Sequence, residues 1–165
     1  MAFKEKYSAE EWKTLKYAVM WVFNAVAAAD NKIDKKEKKA LESVLNNSGK
    51  FFNDVAREIF MDINKDFETF NKEFLNEKRD IQTGLQEVSD LLGKHLDDEI
   101  ALNFKKTLIA IGVFIGHSSG SLFRSNLSDV EVEQIKKIGD MLHVTVGDLE
   151  KPPNLQQIIQ NLNLS

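Results

Sequence analysis

YAVMWVFNAVAAADNKIDKKEKKALESVL, residues 17–45, holds three kinds of sequence in succession. From Tyr17 to Ala29 only Asn24 carries an amide or charged side chain. A helix that is apolar on every side must be wrapped by protein or lipid. This run is shorter than the ~18–20 apolar residues that cross a bilayer, which points to protein. Asp30-Asn31-Lys32 then supplies turn formers. Asp34 with Glu37 three residues on, ahead of Ala40, Val44 and Leu45, has the spacing of a capping box, with Asp in place of the usual Ser or Thr. The stretch predicts a buried helix, a tight polar turn and a charged amphipathic helix.

The whole chain has 165 residues, enough for one domain with a real core. Its net charge is -4 and its pI about 5.5. That balance disfavours nucleic acid, whose binders carry a basic face. The absence of cysteine rules out disulfides, thiolate zinc sites and a cysteine nucleophile, and it fits a reducing compartment. The opening residues MAFKEKYSAEEW lack the apolar core of a secretory signal. With no run long enough to insert in a bilayer, the expected location is the cytoplasm.

Around residues 17–45 the rest of the chain reads as helices. Ser8 and Glu11 form a capping box that opens the first helix, and Trp12, Leu15, Val19, Val22, Val26 and Ala29 mark its buried stripe. The second helix is expected to close at Asn46-Asn47-Ser48-Gly49 through a left-handed cap. Phe51, Phe52, Val55, Ile59, Phe60 and Ile63 predict a third helix. Asn64-Lys65-Asp66 interrupts it, and Phe67, Phe70 and Phe74 mark a fourth. Ile81, Leu85, Val88, Leu91, Leu92 and Leu96 mark a fifth, with a break near Arg79-Asp80; the spacing leaves open whether the fourth and fifth are one rod. A ligand-lining role for the phenylalanine stripe is the alternative to ordinary core, and helical spacing favours core.

Asp97-Asp98-Glu99 places acids at the start of a sixth helix. It runs into the nearly all-apolar LIAIGVFIG and stops at His117-Ser118-Ser119-Gly120. Ser128 with Glu131, and Leu127 with Val132, predict a capped and stapled seventh helix carrying Ile135, Ile138, Met141 and Leu142. Val144-Thr145-Val146-Gly147 is expected to end the compact part. This divides the chain into a helical domain, 1–146, and a tail, 147–165. Beyond the Pro152-Pro153 joint, Leu155, Ile158, Ile159 and Leu162 predict a C-terminal amphipathic helix that docks on its own bundle. With no alternating pattern anywhere, the class is all-α.

The unit at 17–45 recurs. Phe104–Leu142 repeats the order of apolar helix, small polar turn, capping box and amphipathic helix, with about five extra residues between turn and cap, as loop insertions in repeats allow. The pair predicts a pseudo-twofold bundle with the two apolar helices at its centre.

These residues resemble the tellurite-resistance TerB family, whose relatives include the N-terminal region of some DnaJ-like membrane chaperones. Ala27-Ala28-Ala29-Asp30-Asn31-Lys32-Ile33-Asp34-Lys35-Lys36-Glu37 carries the likeness in the first half. Ile115-Gly116-His117-Ser118-Ser119-Gly120 and Leu127-Ser128-Asp129-Val130-Glu131 carry it more loosely in the second. The likeness covers about Trp12 to Val146. It implies a TerB-like bundle of about seven helices with internal pseudo-twofold symmetry. It also implies a bacterial stress response, of the tellurite or oxidant resistance or phage defence type, and protein partners in complexes near the inner membrane. Divalent-cation binding has been proposed for the family's acidic turns, which here would be Asp30, Asp34 and Glu37. Ser119 stands where the family's second turn has Asp, leaving Asp129 and Glu131, and Asn31 replaces the usual Gly.

Three chemistries can be weighed on the residues themselves. Asp30, Asp34 and Glu37 could offer carboxylates to a hard cation, against the plainer account of helix capping by Asp34 and Glu37. The turn is not an EF-hand: Lys32, Lys35 and Leu41 fall where acid, glycine and the closing Glu are needed. Five lysines between Lys32 and Lys39 oppose a cation. Lys35 and Lys36 are unfavourable in a first helical turn, a placement that a partner surface would explain. Gly116-His117-Ser118-Ser119-Gly120 matches the G-x-S-x-G elbow of serine hydrolases, with Asp140 and His143 following in order. That chemistry needs a strand before the serine, whereas a helix is expected here, so a helix end is the plainer reading. His95, His117 and His143 lack metal-ligand spacing. The sequence therefore points to a non-enzymatic interaction or sensing module, with a divalent cation as the one candidate cofactor. Its partners would be proteins, including a membrane-associated complex, with no nucleic acid and no membrane insertion.

Overall fold

The computed structural model describes residues 2–27, 35–51, 53–118 and 129–162, and among these it is all-α with no strand. A 3-10 turn at Phe3–Lys6 leads into α1 (Ala9–Ala27), and α2 (Lys35–Asn46) follows. Then come α3 (Asp54–Lys65), α4 (Phe67–Leu75), α5 (Ile81–His95) and α6 (Asp98–Ser118). The chain finishes with α7 (Asp129–Leu142), the short α8 (Val146–Glu150) and α9 (Leu155–Leu162).

Most of these boundaries follow from local hydrogen bonds. Ser8 and Glu11 exchange the two bonds of the expected box, with Ser8 N–H donating to Glu11 Oε1 at 2.8 Å and Glu11 N–H to Ser8 Oγ at 3.1 Å. Asp66 accepts from Thr69 N–H and Asp80 from Thr83 N–H. These two caps separate α3 from α4 and α4 from α5, so the fourth and fifth helices are not one rod.

Three boundaries differ from expectation. Phe51 stands outside α3, because Asn53 takes the N-cap and accepts from Ala56 N–H at 2.8 Å. The close of α2 is not left-handed: Asn47 has φ -95°, and the chain passes into a 3-10 turn, Ser48–Lys50, with Ser48 Oγ–H donating to Leu45 O. Val144–Gly147 is not all loop, since Thr145 and Asp148 form a full capping box that opens α8. The expected eight helices become nine among the described residues.

At the centre, α1 packs along α6. Tyr17 through Phe23 are buried without a break, and so are Lys106 through Gly112. An uninterrupted buried run of seven is two helical turns with no solvent face, which only neighbours on all sides can provide. Around α1 lie α3, α5, α6 and α7; around α6 lie α1, α2, α3, α5, α7 and α9. The phenylalanine stripe of α4 is core: Phe70 and Phe74 pack on the Tyr17 ring with centroids 5.5 and 5.3 Å away, and Phe74 also meets Trp21. Trp12 and Trp21 are likewise buried. The tail docks on the bundle as expected, with α9 against α6 and Ile158 buried. Reciprocal bonds between Asn154 and Gln157 start that helix. No helix among the described residues is long and apolar enough to cross a membrane.

The direction of the central pair follows from its contacts. Tyr7, just before α1, is buried with its ring edge-on to His95, 4.9 Å away at the end of α5. Phe3 and Ile100 line one cleft. Hence α1 and α6 start at the same end of the bundle and finish at the other.

Candidate functional site

The cation candidates singled out in the sequence belong to the two segments that follow α1 and α6 in the chain. Of the cation candidates, Asp30 and Asp34 lie outside the described residues, as does the side chain of Glu37 in the first turn of α2. The second turn is similar: Ser119 and Ser128 lie outside the described residues, and so do the side chains of Asp129 and Glu131 in α7. The described backbone that borders these two segments is the ends of α1 and α6 and the starts of α2 and α7. α2 packs on α6, and α7 packs on both α6 and α1. Among the described residues, no three carboxylate or imidazole groups converge as a metal site would require.

The G-x-S-x-G match falls on a helix. Gly116 to Ser118 are the last residues of α6, so the strand-to-helix turn of a hydrolase elbow is not present there. Asp140 and His143 have a local task. His143 adopts φ 61° and ends α7 in a Schellman motif: its N–H donates to Asp140 O, and Val144 N–H donates to Gly139 O at 2.9 Å. Its imidazole Nε2 lies 3.1 Å from Gln86 Oε1, which ties α7 to α5.

The structure also assembles polar clusters that the spacing does not announce. Glu58 of α3 accepts from the N–H groups of Phe3 and Lys4 at 2.8 and 2.7 Å, pinning the N-terminal turn. Asp62, one turn on, accepts from Trp12 Nε1–H at 2.8 Å and has Lys4 and Lys16 at 3.5 Å. Burial acts to raise its carboxyl, but the indole N–H and the two ammonium groups outweigh it and hold the pKa below the usual range.

Arg79 sits between α4 and α5. It pairs with Glu77 and Glu87, donates to Thr14 Oγ1 at 3.1 Å, and lies 5.4 Å from the Trp21 ring centroid. Its hydrogen bonds pull the Glu77 carboxyl down to about 2. None of these partners has helical spacing to Arg79, so no one-dimensional pattern marks the cluster.

Lys106 does leave a signal, as a cation inside a helix that has to be wrapped. It is 1% exposed, and its Nζ donates to the carbonyl of Lys151, the C-cap of α8, at 3.0 Å. A lysine on the last carbonyls of a helix is a favourable partner. Burial nonetheless pushes its amine below the usual lysine range, with Asp148 acting against that. Lys106→Met is therefore expected to leave stability unchanged or to raise it by up to about 1 kcal/mol, since an apolar side chain of similar length removes a buried charge and the exposed Lys151 carbonyl can turn to water. Melting from pH 7 to 10 checks this. The native chain should gain stability as pH rises toward the unfolded lysine pKa, because the unfolded state holds that proton longer, and the variant should lack this component. A clear drop in melting temperature on substitution would show the ammonium to be a net anchor.

The chain matches no protein-family model, no curated protein and no solved structure.

Proposed function

We propose that this chain is a non-enzymatic interaction and sensing module of TerB-like, pseudo-twofold architecture, working in a bacterial stress response of the tellurite or oxidant resistance type. The observation that carries the reading is the central pair. Two helices that each hold a fully buried run start together and finish together, and each leads in sequence to an outer helix, α2 lying against α6 and α7 against both α1 and α6. A paired axis followed in sequence by two polar segments is a platform on which a small change in those segments can be read by a partner. In this proposal Asp30, Asp34 and Glu37 take a divalent cation or a cationic partner group, and binding stiffens the first turn. The partners are proteins, among them a complex at the inner membrane, and the module itself stays on the cytoplasmic side.

Calorimetric titration of the chain with Ca²⁺, Mg²⁺, Mn²⁺ and Zn²⁺ tests the cation part. One of these ions should give heat and a raised melting temperature, and the triple change Asp30→Ala, Asp34→Ala, Glu37→Ala should abolish both. No heat and no shift with any ion removes the cation from the proposal. Capture of the same proteins by native chain and triple variant would then assign the module a purely structural role in its complex.

A further inference from the structure

We propose that a cleft at the opposite end of the bundle binds small, neutral, single-ring molecules bearing a hydroxyl or carboxamide group. The cleft has a volume of about 190 Å³ and lies where both ends of the described chain meet α6, between Phe3 of the N-terminal turn and Pro153 and Ile158 of the tail. Thr107, on its wall, stands eleven residues before the end of α6, about 16 Å along the axis from Ser118 at 1.5 Å per residue. The cleft is thus remote from the turns, and the proposal goes beyond their function.

Size and lining set the ligand class. An apolar void of about 150 Å³ suffices for benzene, so one ring fits here and two fused rings with substituents do not. Phe51 and Ile158, both buried, with Ile100 and Pro153, give the ring an apolar bed. The polar groups lie together on α6 and at the start of α3. Thr107 is 4% exposed, and its hydroxyl hydrogen is directed to Asn103 O at 2.9 Å, which leaves the Oγ1 lone pairs to accept. Asn53 has its Oδ1 turned to Ala56 N–H, which leaves its –NH₂ to donate. An O–H or carboxamide on the ring both donates and accepts, and so matches this pair. Among the described residues Asp54 is the one ionisable side chain on the lining, and its carboxylate is already paired with Arg57. The site therefore offers neither sign of charge an uncommitted counter-ion.

Amide NMR titration with phenol, benzamide, benzoate and benzylamine tests this. Phenol and benzamide should shift resonances of Phe51, Thr107 and Ile158 saturably, and the two charged rings should not. Ile100→Trp, at a half-buried position on the rim, should fill the cleft and abolish the shifts; should that variant fail to fold, Asn103→Leu at the same wall takes its place. Thr107→Val keeps the shape and should weaken phenol about fivefold, the loss of one neutral hydrogen bond, without weakening toluene. The proposal is overturned by absence of saturable shifts with phenol and benzamide, by shifts that survive the rim substitution, or by charged rings binding as well as neutral ones.

Discussion

Gly84→Ala is expected to destabilise the fold by about 2–3 kcal/mol, a typical cost of forcing an extra methyl into a filled core. A Cβ at Gly84 would stand 2.5 Å from Trp21 Cη2 and 2.6 Å from Cε2, well inside contact distance. The indole cannot step aside. Tyr17 and Phe74 flank it at 5.9 and 6.0 Å between centroids, and the Arg79 guanidinium covers it. The gain in helix propensity from glycine to alanine, up to about 1 kcal/mol, does not offset this. Gly93, in the same helix, is the internal control: it is exposed, and a methyl added there would meet nothing within 4 Å. Gly93→Ala should stabilise by about 0.5–1 kcal/mol. Urea unfolding of the two variants should therefore move the midpoint in opposite directions. Equal stability of Gly84→Ala and native chain would mean that α1 and α5 do not approach this closely. A double variant with Trp21→Leu should lose part of the Gly84 penalty, since the clash is with that ring.

Arg79→Met should cost about 2–3 kcal/mol, through the loss of charge-assisted hydrogen bonds and the isolation of a carboxylate whose side chain is 17% exposed. Methionine keeps much of the contact with Trp21 but supplies no donor to Glu77, Glu87 or Thr14. The same cluster gives the protein a specific acid sensitivity. The Glu77 carboxyl is lowered from 4.5 to about 2 by Arg79. Between those values the unfolded chain takes up a proton that the folded chain refuses. The contribution is therefore complete above pH 4.5 and lost as pH falls toward 2. Allowing for solvent screening at this partly exposed pair, it is worth about 1–2 kcal/mol. The melting temperature of the native chain should fall more steeply below pH 4.5 than that of Arg79→Met. Parallel curves would show that Glu77 draws nothing from its partner.

What can be read in one dimension is what is decided locally. The Ser8–Glu11 box, the break at Asp80 and the stripes of α3 and α5 depend on residues three or four apart, and each is present. The seven-residue buried runs in α1 and α6 are, apart from Lys106 and Thr107, visible as long apolar sequence, and their mutual packing follows because neither can face water. Apolar continuity draws Phe51 into α3 on paper, whereas the cap at Asn53 excludes it from the helix. The Thr145–Asp148 box escapes a reading by pattern because a five-residue helix leaves almost no periodic signal. Contacts such as Gly84 on Trp21, Arg79 with Thr14 and Lys106 with Lys151 join residues 45 to 65 positions apart and leave no mark on spacing. Of the candidate turn, the backbone of the helices that border it is described, whereas Asp30 and Asp34 lie outside the described residues.

In the two fully enclosed lengths, 17–23 and 106–112, a polar or bulkier residue is accepted only where a partner is built for it, as the Lys151 carbonyl is for Lys106. Such segments are fixed points for any variation of this molecule. Diversification toward new recognition tasks has to be carried by the outer helices and the connections between them, with the paired axis inherited unchanged.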